Sequence, residues 1–195
     1  MNFKKFLPWI IAIGVILMIA FWVMGVKNTA LRKSQATEKE WGNVQTSYQR
    51  RNDLIGNLVN TVKGAADFEK STLTAVIEAR AKATSITVDP RNITPDQLAK
   101  FNQAQSGVSS SLSRLLVSVE KYPELKANEN FLKLQDELAS TENQILTART
   151  RFNESVQDYN GYVLAMPQSF FLGSYKEKAY FQAVEGADKP VQVKF

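Results

Sequence analysis

The sequence predicts an all-α protein, with an N-terminal transmembrane helix followed by an antiparallel bundle of long helices. Two observations carry this. Phe6 to Val26 contains no charged residue. Beyond it, apolar residues recur at heptad spacing through three long stretches with prolines only at their borders. The chain therefore divides into a short tail (1–5), an anchor (6–26), a helical bundle (27–165) and an apolar, aromatic C-terminal segment (166–195). That last segment is expected to pack on the bundle or on a neighbouring protomer.

The anchor is long enough to span a bilayer, since about 20 apolar residues rising ~1.5 Å each cross a hydrocarbon core of ~30 Å. Trp9 and Trp22 lie towards its two ends, where indole rings favour the interface. Pro8 falls near the helix start, where a missing N–H costs least. The run exceeds the apolar core of a signal peptide and no small-x-small cleavage pattern follows Val26, so it is expected to stay uncleaved. Lys4 and Lys5 flank one side, and Lys27, Arg32 and Lys33 the other. Because the tail's charge abuts the apolar run directly, the bundle is expected on the extracytoplasmic side.

The first seam runs from Trp41 through Val44, Tyr48, Arg51, Ile55, Leu58, Val62, Ala65, Glu69, Thr72, Val76 and Ala79 to Ala83. It reads as one helix, widened by Leu54, Val59, Ala66, Leu73 and Ile77, with Gly56 and Gly64 as points where it could kink. Asp89, Pro90 and Asn92 mark a connection. Thr94, Pro95 and Gln97 then form an N-cap, a first-turn proline and a capping-box glutamine. The second seam follows as Leu98, Phe101, Gln105, Val108, Leu112, Leu115, Val119 and Tyr122, and Pro123 stops it. The third contains Phe131, Leu134, Leu138, Thr141, Ile145, Ala148, Phe152, Ser155 and Tyr159, with Asn128 and Asn130 as turn and cap residues.

Composition excludes most enzyme chemistry. The chain has no Cys and no His, which removes thiolate nucleophiles, His-based triads, zinc sites of the H-E-x-x-H type and Glu-x-x-His di-iron centres. Carboxylate-only hydrolysis needs two carboxylates about 5–9.5 Å apart in a cleft, which filled helical seams do not offer. No enzyme activity, cofactor or metal is expected. The net charge of +5 is dispersed among Asp and Glu rather than gathered in a basic run, so nucleic acid is not an expected partner.

Four blocks in order resemble the LemA family of bacterial membrane-anchored helical proteins. The first is Gln49 to Leu54 with Asn57, Leu58, Val59, Thr61, Val62, Lys63 and Gly64. The second is Tyr122 to Lys126 with Asn128, Glu129, Asn130, Leu134 and Gln135, followed by Thr141, Glu142, Asn143 and Ile145. The third is Ala148, Arg149, Arg151, Asn153, Tyr159 and Asn160. The last is Tyr180, Phe181, Ala183, Glu185, Gly186 and Ala187. Gly56 stands where relatives carry proline, Phe68 where many carry histidine and Phe152 where tyrosine is common. The resemblance implies an antiparallel helical fold at the bacterial cytoplasmic membrane and no established chemistry.

Helix lengths suggest assembly. An apolar stripe from Trp41 to Ala83 is roughly 64 Å long, whereas a second helix from Pro95 to Tyr122 reaches only about 42 Å. Trp41, Val44, Tyr48 and Ile55 would lack an intrachain cover unless the C-terminal segment folds back. They are expected, with Phe170, Phe171, Tyr180 and Phe181, to form the interface of a homo-oligomer. Arg51 and Glu69 occupy seam positions, and a buried charge needs a partner. Arg50, Arg51, Asp53, Asn57, Glu69, Glu142, Arg149 and Arg151 are therefore expected to form a polar network. It serves either as ion pairs fixing helix register or as a site for an anionic ligand or lipid headgroup. The reading is a non-enzymatic, self-assembling scaffold, or alternatively a tethered adaptor that binds a partner peptide in a bundle groove. Its partners would be membrane lipid, further copies of itself and other membrane proteins.

Overall fold

The computed structural model describes residues 3–64 and 68–182, with side chains from Leu7 onward. Helix α1 (Phe3–Lys63) passes from the anchor into the bundle without interruption and is about 92 Å long. It begins before the apolar run, so Pro8 lies inside it rather than at its first position. Helix α2 (Lys70–Thr84) runs back along the end of α1, α3 (Pro95–Val119) rises again, and the one-turn α4 (Pro123–Lys126) crosses the tip. Helix α5 (Glu129–Leu164) then descends about 54 Å to the level of the anchor, where a short 3-10 turn, Gln168–Phe170, follows it. Among the described residues there is no strand.

The first seam is thus two helices, not one. α1 ends at Lys63, and the chain reverses between Gly64 and Glu69. Apolar spacing does not reveal the reversal, because Val62, Val76 and Ala83 keep a seven-residue rhythm and all face the same core. Phe68 seats the turn against Tyr122, ring centroids 4.9 Å apart. The reversal sets the direction of every later helix, so α5 returns towards the apolar part of α1, where Tyr159 and Val163 meet Val26 and Ala30. Ala65 and Ala66 of the seam lie outside the described residues. So do Ala183, Glu185, Gly186 and Ala187.

The other starts follow their local chemistry. The Thr94 hydroxyl accepts from the Gln97 N–H at 3.3 Å while the Gln97 side chain accepts from the Thr94 N–H at 3.2 Å. Asn128 caps α5 by accepting from the Phe131 N–H at 3.1 Å. Along α5 the buried face drifts from Phe152 to Val156 and Tyr159, leaving Ser155 half-buried, as a 3.6-residue turn must drift from a strict heptad.

The core has three tiers. The tip tier joins Leu58, Val62, Val76, Leu115, Val119 and Phe131. The middle tier joins Trp41, Val44, Tyr48, Leu98, Phe101, Ile145, Phe152 and Phe181. In the lowest tier α2 and α3 are absent, and Val26 and Ala30 of α1 meet Tyr159 and Val163 of α5 and Leu172 of the chain beyond it. That chain, 172–182, forms a strap climbing back up the bundle between α5 and the loop before α3.

This arrangement overturns the expected interface at Trp41, Val44, Tyr48, Ile55 and Phe181. All five are buried within one chain, Trp41 to 1% exposure. Phe101 and Phe152 meet the Trp41 indole edge-on at 5.3 Å, and Phe181 stacks on it at 6.0 Å. Returning α5 and the strap supply the cover that three unreversed helices could not. Phe170, Phe171 and Tyr180 remain exposed.

Removing the stacked ring tests this closure. Phe181→Ala is expected to lower the unfolding free energy of the full chain in detergent by about 3 kcal/mol, read from urea titration. Tyr180→Ala, at a largely exposed neighbour, should change it by less than about 0.5 kcal/mol. Equal effects would place Phe181 outside the core.

Candidate functional site

Helix α5 packs along α1, and α2 along α3, but α3 and α5 are not in close register with each other. A cleft of about 930 Å³ opens between them. Tyr48 and Arg51 of α1 form its floor, and residues 177–182 of the strap close its lower end. The α3 wall presents Asn102, Gln105, Ser106, Ser109 and Ser110, and the α5 wall Glu142, Ile145 and Arg149.

Arg51 is the floor's organising residue. Its guanidinium is buried, lies over the Tyr48 ring at 4.9 Å, and donates to Glu142 at 3.1 Å, to Ser109 Oγ at 3.3 Å and to Gln105 Oε1. One cation thereby ties α1 to both walls. Arg149 lies over the Phe181 ring at 4.4 Å and faces the Tyr48 hydroxyl. Burial raises the Tyr48 pKa above its ordinary value, against the opposing pull of Arg149 and Arg51, so the phenol stays neutral at physiological pH.

The strap is held by its backbone. Asn160 donates to the Lys178 carbonyl at 2.8 Å and accepts from its N–H at 2.9 Å. One heptad earlier, Asn153 does the same for Phe181, at 2.9 Å both ways. The Tyr159 hydroxyl donates to Lys176 O at 3.0 Å, and Ala179 N–H to Ile93 O at 3.0 Å. The Lys178 ammonium points into the bundle and donates to Thr37 Oγ1 at 2.8 Å, Pro90 O at 3.0 Å and Ser34 Oγ at 3.1 Å. Its partners are all neutral. Burial pushes its pKa below the ordinary lysine value, although Glu38 and Asp89 draw it upward.

The structure brings together only part of the expected polar network. Arg51, Glu142 and Arg149 meet in the cleft. Arg50 points away and pairs with Glu137 at 3.4 Å on the surface. Asp53 accepts from Gln49 at 2.9 Å and lies 3.9 Å from Arg80 of α2, so it is not the Arg51 partner. Asn57 is exposed. Glu69 sits in the turn at the tip, where it accepts from Ser71 at 2.6 Å. It is far from Glu142, Arg149 and Arg151, because its seam position vanished with the helix reversal. Arg151 is exposed on the opposite face of α5, beside Asn43, Ser47 and Thr147. The arrangement favours the register-fixing alternative for Arg51.

Sequence reasoning missed Ser109, Lys178, Asn153 and Asn160 as site residues. Gln105 carried a usable signal, a polar residue in an otherwise apolar seam. Asn153 and Asn160 carried another, their seven-residue spacing. Nothing in the sequence marks Lys178 as buried.

A helix whose first part carries a long charge-free stretch, continuing into an antiparallel bundle with a strap sealing its middle, defines a membrane-associated helical protein. The chain belongs to the LemA family, whose sequence profile matches residues 40–195. It is similar to magnetosome protein MamQ 2 of Paramagnetospirillum magneticum, at 25% identity over 84% of this chain and 67% of that one. It is also similar to protein LemA of Metamycoplasma hominis, at 25% identity over 82% of this chain and 68% of that one. Magnetosome protein MamQ of Magnetospirillum gryphiswaldense shares 23% identity over 93% of this chain and 74% of its own.

Two measurements check the site. Arg51→Ala, which leaves the buried Gln105 without its donor, is expected to destabilise the chain by about 2 kcal/mol. Arg50→Ala, at an exposed pair, should cost less than about 1 kcal/mol. Thermal unfolding distinguishes them, and a tolerant Arg51 would deny it an organising role. For Lys178, between its depressed native pKa and the ordinary 10.5 the unfolded chain holds the extra proton. The stability of the wild type relative to Lys178→Met must therefore rise with pH across that window. A difference that stays flat or falls in alkaline urea titrations would show the ammonium to be solvated.

Proposed function

We propose that this chain is a non-enzymatic, membrane-tethered adaptor that receives a segment of a partner protein in the cleft between α3 and α5. The single supporting observation is the cleft itself. Between the shared core tiers, α3 and α5 stand apart over a floor made by Tyr48 and Arg51. Its chemistry suits a polypeptide: the exposed Pro95, Ala99 and Tyr180 offer apolar contact, while the hydroxyls and amides of α3 offer hydrogen bonds in a row. Two carboxylates line the cleft, Glu142, paired with Arg51 at 3.1 Å, and the exposed Glu177 of the strap. The stripe that called for a second copy is covered within the chain by its other helices and the strap, so it does not itself argue for self-assembly. We place the anchor in the bacterial cytoplasmic membrane, with the bundle on the extracytoplasmic side, on the position of Lys4 and Lys5.

Photo-crosslinking in intact cells tests the adaptor reading. A photoreactive side chain at Ser106, on the cleft wall, is expected to capture another membrane or envelope protein, and one at Thr147, on the opposite face, is not. Adducts only of the mass of two copies would favour a self-assembling scaffold. No adduct from Ser106 would remove the case for an occupied cleft.

A further inference from the structure

Below the lowest core tier, the chain turns from α5 into the strap through an apolar loop. No charged residue lies between Asp158 and Lys176. Within that stretch Leu164, Met166 and Phe170 are exposed to 57%, 68% and 74%, and Phe171 to 40%. Large apolar side chains clustered at this exposure are unusual on a soluble surface.

The loop's height relative to the anchor is fixed. The Tyr162 hydroxyl donates to Val26 O at 3.3 Å and the Tyr175 hydroxyl to Lys27 O at 3.5 Å, bracing both sides of the loop at the charge boundary of α1. Phe171 then reaches past that boundary and meets Trp22 of the anchor edge-on, ring centroids 5.5 Å apart. Trp22 stands one helical turn, about 6 Å, on the membrane side of Val26. The loop's backbone is also largely satisfied locally. Ser169 N–H donates to Ala165 O at 2.9 Å, Phe171 N–H to Gln168 O at 2.9 Å, and Tyr175 N–H to Leu172 O at 2.8 Å. Such local pairing lowers the cost of bringing this backbone towards the hydrocarbon, because lipid tails accept no hydrogen bonds.

We propose that the 164–171 loop is a second membrane contact, dipping its Leu, Met and Phe side chains into the bilayer interface beside the anchor. The occupant of this surface is lipid. Continuity with Trp22 argues for it, since any bilayer that surrounds Trp22 also meets Phe171. Tyr162 and Tyr175 then lie at headgroup depth, where aromatic rings with polar tips are favoured, with Lys27 and Lys176 above them. The contact gives the bundle two attachments instead of one, and so a defined tilt. The proposal rests on the anchor spanning the bilayer.

The absence of native cysteine allows single labels in the full chain. A fluorophore is placed at Met166→Cys, which keeps both phenylalanines, and the protein is reconstituted in vesicles of phosphatidylethanolamine and phosphatidylglycerol. Nitroxide-bearing lipid is expected to quench this label several-fold more than one at Ser113→Cys on the exposed face of α3, and aqueous iodide several-fold less. Adding Phe170→Asp should reverse the Met166 pattern without loss of the folded bundle. Iodide quenching at Met166 equal to that at Ser113 would overturn the proposal, and so would shielding from both quenchers, which would mean that a second copy covers the loop. A label at Met18→Cys separates the two failures. If it too is open to iodide, the anchor reading has failed. If it is lipid-quenched while Met166 is not, only the loop contact has.

Discussion

Burial of Trp41 is the constraint on which the remainder of the structure depends. An indole midway along a helix of this length needs cover on several sides, and α5 alone supplies only one of them through Phe152. Phe101 of α3 and Phe181 of the strap complete the enclosure. The strap is neither helix nor strand, so its peptide groups have no regular partners, and unpaired buried peptide groups are costly. Asn153 and Asn160 answer that need, each offering one side-chain amide to both polar atoms of a single strap residue. An amide is the group that donates and accepts at once, and a leucine at either place would bury more carbon yet release the strap.

Much of this was legible in the sequence where local rules govern. The long apolar N-terminal helix, the capping box at Thr94, the cap at Asn128 and the buried faces of α3 and α5 follow from hydropathy, hydrogen-bonding side chains and spacing. The reversal at Gly64 did not, because a repeat of apolar residues is invariant to a hairpin that folds the second half back on the same core. Gly56 and Gly64 looked alike as weak points. Gly56 passes through as helix, with the Arg80 guanidinium lying 3.2 Å from where its Cβ would stand, while Gly64 ends α1. That difference is tertiary. From the missed reversal followed the stripe thought to be uncovered and the false placement of Glu69.

The same logic separates the parts of the polar network that were visible from those that were not. Arg51 in an apolar seam announced a buried charge, and the need for a partner followed. The partner's identity did not, because Asp53 is near in sequence while Glu142 is near in space. A fully desolvated arginine bridging three helices contributes more to register than to net stability, since its desolvation offsets much of its Coulomb energy. Sliding α5 by one turn would leave the guanidinium facing Ile145 in place of Glu142. Register fixed in this way also fixes the width of the cleft, because Ser109 and Gln105 are drawn to the same guanidinium from the opposite wall.

An uninterrupted α1 then decides what such a cleft can reach. From Val26, at the charge boundary, to Arg51, on the cleft floor, the helix rises roughly 37 Å, and no described break lies between them. A hinge at that boundary would let the bundle sample many heights and angles. Here Tyr162 and Tyr175 brace α1 just above the anchor, and Lys33 holds Asp158 of α5 at 2.6 Å a short way further up. The cleft is accordingly held at one distance from the charge boundary of α1. On the adaptor reading proposed above, partners would be selected by height as well as by chemistry, for a segment emerging from the same membrane would have to extend that far before it could dock. A flexible tether would raise the number of partners within reach and lower the effective concentration of each. The rigid post makes the opposite choice.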